Sequence, residues 1–320
     1  MRILLTGAAG FVGPHFAETL RRACGHSVEL IATDKYASPH PILGTVHPLD
    51  VADRSGVELA LKRWSPTHVV NLAGIAAPQE ASGAPVLAWR VHVEGALNIA
   101  RAIMERAPAC ALIHVGSGLA YGESANAHTV IAEQALFAPT DTYGVTKAAA
   151  DLALGALSQQ GLKCVRMRPF NHTGAGQSEA FVIPAFAMQI ARIEQGKMPP
   201  VMRVGNLDAE RDFLDVRDVA DAYVRALRDS LDPGVAFNVA SGIPRRIADV
   251  LDQLLALSPA KIEIEADPAR SRPSDLPRVV GDARCLRERL GWSPKHGFEE
   301  TLSVVLNDCR ARASKMAAST

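Results

Sequence analysis

The sequence predicts an α/β fold: a doubly wound parallel sheet followed by a smaller C-terminal α/β lobe that binds substrate. Three observations carry this. Short aliphatic and β-branched runs alternate with longer amphipathic stretches through the first half of the 320 residues. Those runs lack the regular polar alternation of half-exposed strands, so both faces of the sheet are to be covered by helices. Near residue 170 the rhythm changes to shorter helices separated by Gly- and Pro-rich loops.

The elements follow in order. Residues 3–5 form a first strand and 11–24 a helix, residues 28–32 a second strand, and a third strand ends at Asp50. A helix over 55–63 leads to a fourth strand ending at Asn71-Leu72-Ala73-Gly74, a long helix spans 86–106, and residues 111–115 are the fifth strand. A helix over 145–160 and a strand over 164–167 complete the first half. Beyond it lie helices near 181–195, 216–228 and 247–257 and an isolated strand at 236–239. Residues 1–169 make a nucleotide-binding domain that also carries the catalytic groups. Residues 170–312 mainly bind substrate, with some elements returning to the first domain, and 313–320 are a frayed tail. The second lobe is expected to close over the carboxyl ends of the strands, where ligands bind in open α/β sheets.

Composition excludes several classes of function. Lys plus Arg (34) cancels Asp plus Glu (34), so no broad electrostatic surface exists for nucleic acid or acidic lipid, and an anionic ligand must meet a local site. No apolar run approaches the roughly 18 residues of a membrane span, and the N-terminal run is too short for a signal peptide, which predicts a cytoplasmic protein. The five cysteines are scattered without metal-ligand spacing and read as reduced, buried thiols.

The sharpest local signal is Thr6-Gly7-Ala8-Ala9-Gly10-Phe11-Val12-Gly13, a glycine-rich strand-to-helix turn. Glycine lets the backbone approach a pyrophosphate, the helix start holds the phosphates, and the last glycine lets helix and sheet pack closely. Asp34 ends the next strand about 20 residues on, where a carboxylate accepts from both adenosine ribose hydroxyls and repels a 2′-phosphate. NAD is therefore expected over NADP, although adjacent Lys35 can accommodate a phosphate. Asp50 with Val51 is placed near the adenine, and Leu72, Ala73 and Gly74 leave room for the cofactor backbone.

Tyr143 and Lys147 stand four apart on one helix face, so the ammonium can lower the phenol pKa and bond the nicotinamide ribose. Ser117, after the fifth strand, supplies a hydroxyl for a carbonyl oxygen. The three-part set resembles the short-chain dehydrogenase/reductase superfamily, with its Rossmann-type sheet. The segment Ser117-Gly118-Leu119-Ala120-Tyr121-Gly122 resembles its extended branch, the sugar-nucleotide epimerases, dehydratases and reductases, across about residues 1–310. The resemblance implies that Tyr143 exchanges a proton with a sugar oxygen, Ser117 polarises that oxygen, Lys147 tunes Tyr143, and a hydride passes between nicotinamide and the sugar carbon. Where the superfamily often has Asn this chain has His92, expected to be a packing or surface residue.

Three further motifs resemble the GDP-sugar members: Arg168-Pro169-Phe170-Asn171-His172-Thr173-Gly174, then Gly205-Asn206-Leu207 through Arg211-Asp212-Phe213, then Arg272-Pro273-Ser274-Asp275. One departure is Ala175, where the family commonly has Pro. The resemblance implies that Arg211 and Arg272 grip the diphosphate, Asn171 bonds a phosphate or sugar oxygen, and Phe181-Val182 with Asn206-Leu207 contact guanine. It further implies NAD(P)H-dependent reduction of the 4-keto group of GDP-4-keto-6-deoxy-D-mannose to GDP-D-rhamnose or GDP-6-deoxy-D-talose. It also implies a homodimer through helices 86–106 and 143–160. A GDP-sugar 4-epimerase or 4,6-dehydratase and a non-catalytic NAD(P) sensor are the alternatives. Against dehydration stands Leu119, at the position where dehydratases carry a Glu as further acid/base.

Overall fold

The computed structural model describes residues 1–229, 232–270 and 276–317. The first half runs β1 (Arg2–Thr6), α1 (Val12–Cys24), β2 (Glu29–Asp34), β3 (Ser38–His40), β4 (Gly44–Pro48), α2 (Arg54–Trp64) and β5 (His68–Asn71). It continues through α3 (Pro78–Gly83), α4 (Pro85–Trp89), α5 (Gly95–Arg106), β6 (Ala111–Val115), α6 (Thr142–Ser158) and β7 (Cys164–Pro169). The second half holds β8 (Asn171–Thr173), α7 (Val182–Glu194), β9 (Val201–Val204), β10 (Glu210–Asp215), α8 (Val216–Arg228) and β11 (Ala236–Val239). β12 (Pro244–Arg246), α9 (Ile247–Ala256), β13 (Glu263–Ala266), β14 (Arg278–Val279), α10 (Arg284–Leu290) and α11 (Phe298–Ala317) complete it.

The main sheet has the order β11-β7-β6-β5-β1-β2-β4-β3, parallel throughout except for the β3–β4 edge. Its central strands are buried on both faces, as their uninterrupted aliphatic runs require. Apolar residues of α1, α8 and α10 cover one face, and those of α2, α5 and α6 the other. Aspartates at the helix starts fix where the chain turns: Asp53 caps α2, Asp141 accepts from the Gly144 amide at 2.7 Å, and Asp215 from Arg217 at 2.8 Å. β11 and α8 come from the second half, so the chain returns to the main sheet partway through building its C-terminal lobe. That lobe is a β12-β10-β14 sheet joined by β8, a β9–β13 pair, and helices α7, α9 and α11 around their own core.

Three expectations are corrected. β4 stops at Pro48, because Asp50 turns the chain by accepting from the Ala52 amide at 2.9 Å, so Asp50 lies beyond the strand. The helix expected over 86–106 is interrupted by a π-helical turn, Arg90–Glu94, between α4 and α5. α11 extends into the stretch expected to fray, since Ala313 is buried and its carbonyl accepts from Lys197; residues 318–320 lie outside the described residues.

Candidate active site

The strands β1, β2, β5, β6 and β7 deliver their carboxyl ends to one cleft of about 1140 Å³, closed from the other side by α7, β9 and β10. Gly7, with φ of +64°, passes so close under the β5 loop that a Cβ there would stand 2.7 Å from Ala73 Cα. A Cβ on Gly13 would meet the Ala8 carbonyl oxygen at 1.9 Å, so this glycine permits the packing of α1 on β1. α1 opens without a side-chain cap, and Ala9, Gly10, Phe11 and Val12 line the cleft. Asp34 reaches across from β2: one carboxylate oxygen accepts from the Ala9 amide at 2.9 Å, the other from the Lys35 amide at 2.7 Å. Lys35, Asp50, Val51, Leu72, Ala73 and Gly74 line the same end. This cradle of small residues at a helix start, with a carboxylate at its rim, fits a dinucleotide with its phosphates over α1 and a ribose at Asp34.

At the middle of the cleft β6 and α6 bring Ser117 and Tyr143 into the lining, with Lys147 buried beside the Tyr143 ring and outside the lining itself. Ser117 begins a short 3₁₀ turn, where its Oγ accepts from the Leu119 amide at 3.1 Å and bonds the Tyr143 phenol. Burial pushes the phenol pKa up, and the Ser117 bond pulls it partly back. The nearby Asp141 carboxylate adds to the rise. The Lys147 Nζ donates to the Val115 carbonyl at 3.2 Å and lies over the ring, 5.8 Å from its centroid, rather than on the hydroxyl. Burial brings the ammonium itself down to about 8. Leu119 lines the cleft beside this group; Glu123 is exposed and is not part of the lining.

On the far side Asn171, Phe181, Val182, Asn206 and Arg211 share the lining. Arg211 donates to the Glu210 carbonyl at 2.9 Å. The Asp212 carboxylate is occupied by Ser241, Gly242 and Gly281, and that of Asp215 by Arg217 and Thr301. Arg272 and Asp275 lie outside the described residues. The loop at Ala175 is held by the ring of His15, 3.0 Å from its carbonyl.

Sequence reasoning missed several lining residues: His172, stacked on Phe11 at 6.0 Å, Gln177, Glu179, Arg203 and Arg270. His172 sits inside a motif already singled out; Arg203 and Arg270 carry no local signal, since only the folded lobe brings them inward. His92 is no surface residue. It is 2% exposed, its ring stands edge-on to Tyr143 at 5.6 Å, and both ring nitrogens are hydrogen-bonded.

The chain matches the GDP-mannose 4,6 dehydratase family over residues 4–305. It is 33% identical over 314 residues to the GDP-6-deoxy-D-mannose reductase of Pseudomonas aeruginosa, covering 97% of this chain and 98% of that one. The solved structure of RMD from Pseudomonas aeruginosa complexed with NADPH superposes with a TM-score of 0.85 at 32% identity, covering 97% of this chain and 99% of the other. The UDP-glucose 4-epimerase of Thermus thermophilus, in complex with NAD, superposes with a TM-score of 0.83 at 30% identity and covers 97% and 99%.

Proposed function

The chain belongs to the GDP-mannose 4,6 dehydratase family, within the extended short-chain dehydrogenases/reductases, and on that premise we propose that it is an NAD(P)H-dependent 4-ketoreductase of GDP-4-keto-6-deoxy-D-mannose. Its product is a GDP-6-deoxyhexose, GDP-D-rhamnose or GDP-6-deoxy-D-talose. The observation that carries the reading is the wall around the reacting group: Ser117 and Tyr143 line the cleft with an apolar Leu119, Lys147 is buried against the Tyr143 ring, and Glu123 is exposed outside the lining. Dehydration across C5–C6 needs a further acid/base beside the sugar. Asp141, which also lines the cleft, is bound to the Gly144 amide as the cap of α6.

NAD(P)H supplies the hydride for the keto carbon. The chain does the rest. Tyr143, held protonated by its buried setting, gives its proton to the sugar O4 as charge develops there, while the Ser117 hydroxyl donates to the same oxygen. Lys147 holds its ammonium over the phenol ring, and with cofactor bound it would bond the nicotinamide ribose. Arg211 and Arg272 bind the diphosphate and Asn171 a phosphate or sugar oxygen. Phe181, Val182 and Asn206 contact guanine, with Asp275 in the same segment as Arg272. Asp34 favours NADH over NADPH, and Lys35 moderates that preference. The reading carries a cytoplasmic location and a homodimer through α4, α5 and α6, supported by the exposed apolar side chains of Val86 (74%), Trp89 (43%) and Leu152 (61%).

The test is stoichiometric. Mass spectrometry of the nucleotide sugar, read against absorbance loss at the NAD(P)H band, is expected to show one reduced cofactor consumed per GDP-4-keto-6-deoxy-D-mannose, with GDP-mannose left unchanged. Conversion of GDP-mannose to the 4-keto sugar without net cofactor use would falsify the assignment.

A further inference from the structure

We infer that His92 is a positioning residue of this reaction: its ring ties the loop after β5 to the catalytic turn of α6 and so holds Tyr143 at the cleft with Lys147 beside its ring. The inference rests on the reductase reading of the same site.

The chain spends structure to put the ring there. His92 occupies the centre of the π-helical turn Arg90–Glu94, a helix form that is rare and clusters at functional positions. The turn carries the side chain into a pocket where each ring nitrogen has a partner. The Ile75 amide, in the loop after β5, donates to Nε2 at 2.9 Å. Nδ1 lies 2.7 Å from Thr146 Oγ1. The Thr146 hydroxyl is itself 2.8 Å from the Thr142 carbonyl and 3.0 Å from that of Tyr143, so its own proton goes to the helix. Nδ1 must then donate, which leaves Nε2 free to accept, and the bonds select one neutral tautomer with the proton on Nδ1. The Ile75 carbonyl, 3.2 Å from Nε2, is the longer contact.

The resulting chain of bonds runs from Ile75 through His92 and Thr146 to the carbonyl of Tyr143. The groups facing the ring are the Tyr143 phenol ring and Lys147 ammonium from α6, and His114 from β6. Gly74 closes the fourth side: a Cβ there would fall 3.2 Å from the His92 ring and 3.3 Å from Lys147 Nζ. Burial first, and Lys147 second, bring the imidazole down to about 3, so the link persists across the working pH range.

Side-chain length separates the two ends of the link. His92→Asn keeps a polar atom at the Nδ1 position but does not reach Ile75; His92→Gln reaches the Nε2 position but leaves Thr146 without its donor; His92→Leu cuts both. Expected losses in kcat on GDP-4-keto-6-deoxy-D-mannose are about 10-fold for Asn and for Gln and about 100-fold for Leu, with KM nearly unchanged. Thr146→Val is expected to cost about 10-fold and to add little to His92→Gln, since both cut the same link. Independently of substrate, the ring nitrogens of His92, assigned in the spectrum by their absence from His92→Asn, are expected to show an Nδ1–H tautomer unchanged between about pH 5 and about pH 9. Full kcat in His92→Leu, a loss confined to KM, additive losses for Thr146→Val and His92→Gln, or an imidazole that titrates near neutrality would each overturn the role. An unaltered protein that leaves the keto sugar unreduced overturns the reductase reading and this role with it; an active parent with a fully active His92→Leu overturns the role alone.

Discussion

Acidification from about pH 7 to about pH 5 is expected to strip several kcal/mol from the folded state, and two buried imidazoles account for most of it. His92 and His114 are each 2% exposed, and burial, helped by the Lys147 ammonium, pushes both down to about 3. Unfolded, the same side chains titrate near 6.5. The folded-state values are depressed, so their contribution is complete above about 6.5 and drains away as the pH falls toward 3. At pH 5 the solution is about 1.5 pH units below the unfolded value, so each imidazole forfeits about 2 kcal/mol, or about 4 for the pair. That is a large part of the roughly 5–15 kcal/mol that holds a typical domain together. Burial also lowers His172, which adds in the same direction; Glu133 and Asp212, raised by burial, oppose it. A substitution isolates the imidazole. His114 Nδ1 accepts from Asn71 Nδ2 at 3.2 Å and its Nε2 has no partner, so His114→Asn keeps the one bond and removes the titrating group. Urea unfolding at both pH values is the assay. The parent is expected to lose about 4 kcal/mol and His114→Asn about 2. A His114→Asn protein with the parent's full pH dependence would refute the burial argument.

Three further outcomes follow from the site. Tyr143→Phe is expected to fold and bind NADH normally while losing at least about 100-fold in turnover, the size of a general-acid contribution; undiminished turnover removes Tyr143 from the mechanism. Asp34→Asn keeps an acceptor for the Ala9 amide but removes the charge, so the NADH preference measured by titration calorimetry is expected to shrink by about 10-fold, and tighter NADPH binding by the parent would sink the idea. Because burial brings the Lys147 ammonium to about 8, kcat is expected to fall as the pH rises through that value, whereas stability gains over the same range as the unfolded chain gives up a proton that the folded one has already lost. A kcat that stays flat to about pH 10 contradicts the cationic role.

What could be foreseen from the residues was whatever a local pattern dictates. Gly7, Gly10 and Gly13 announce a close backbone approach, and the structure shows the atoms that enforce it, Ala73 above Gly7 and the Ala8 carbonyl beside Gly13. Tyr143 and Lys147 share a helix face by spacing alone. The sense of their interaction could not be foreseen, because it depends on where the ammonium points, and the Val115 carbonyl draws it away from the hydroxyl. His92 was illegible for a related reason. A regular helix gives no hint of the π-helical turn that swings residue 92 inward, and its partners Ile75 and Thr146 lie far away in the chain. Arg203 and Arg270 enter the cleft only because β9 and the segment after β13 fold over it, a tertiary fact without a sequence period.

The directions in which burial moves the two catalytic groups bear on the reaction itself. A low-dielectric floor penalises charge, so it raises the phenol and lowers the ammonium together. A raised phenol stays protonated at neutral pH, the form needed to hand a proton to a keto oxygen as it is reduced. An enzyme that begins by oxidising a sugar hydroxyl needs the opposite resting form, a phenolate able to accept. In this chain nothing at the hydroxyl works strongly toward that form: the Ser117 bond favours it only partly, Lys147 is spent on Val115, and the nearby Asp141 carboxylate opposes it. Leu119 offers no group that could serve as an acid/base, and the desolvation around it keeps Tyr143 a donor. Both features accord with reduction, and the apolar wall they share is built by Leu119 and by Phe170, whose ring packs on Gly118.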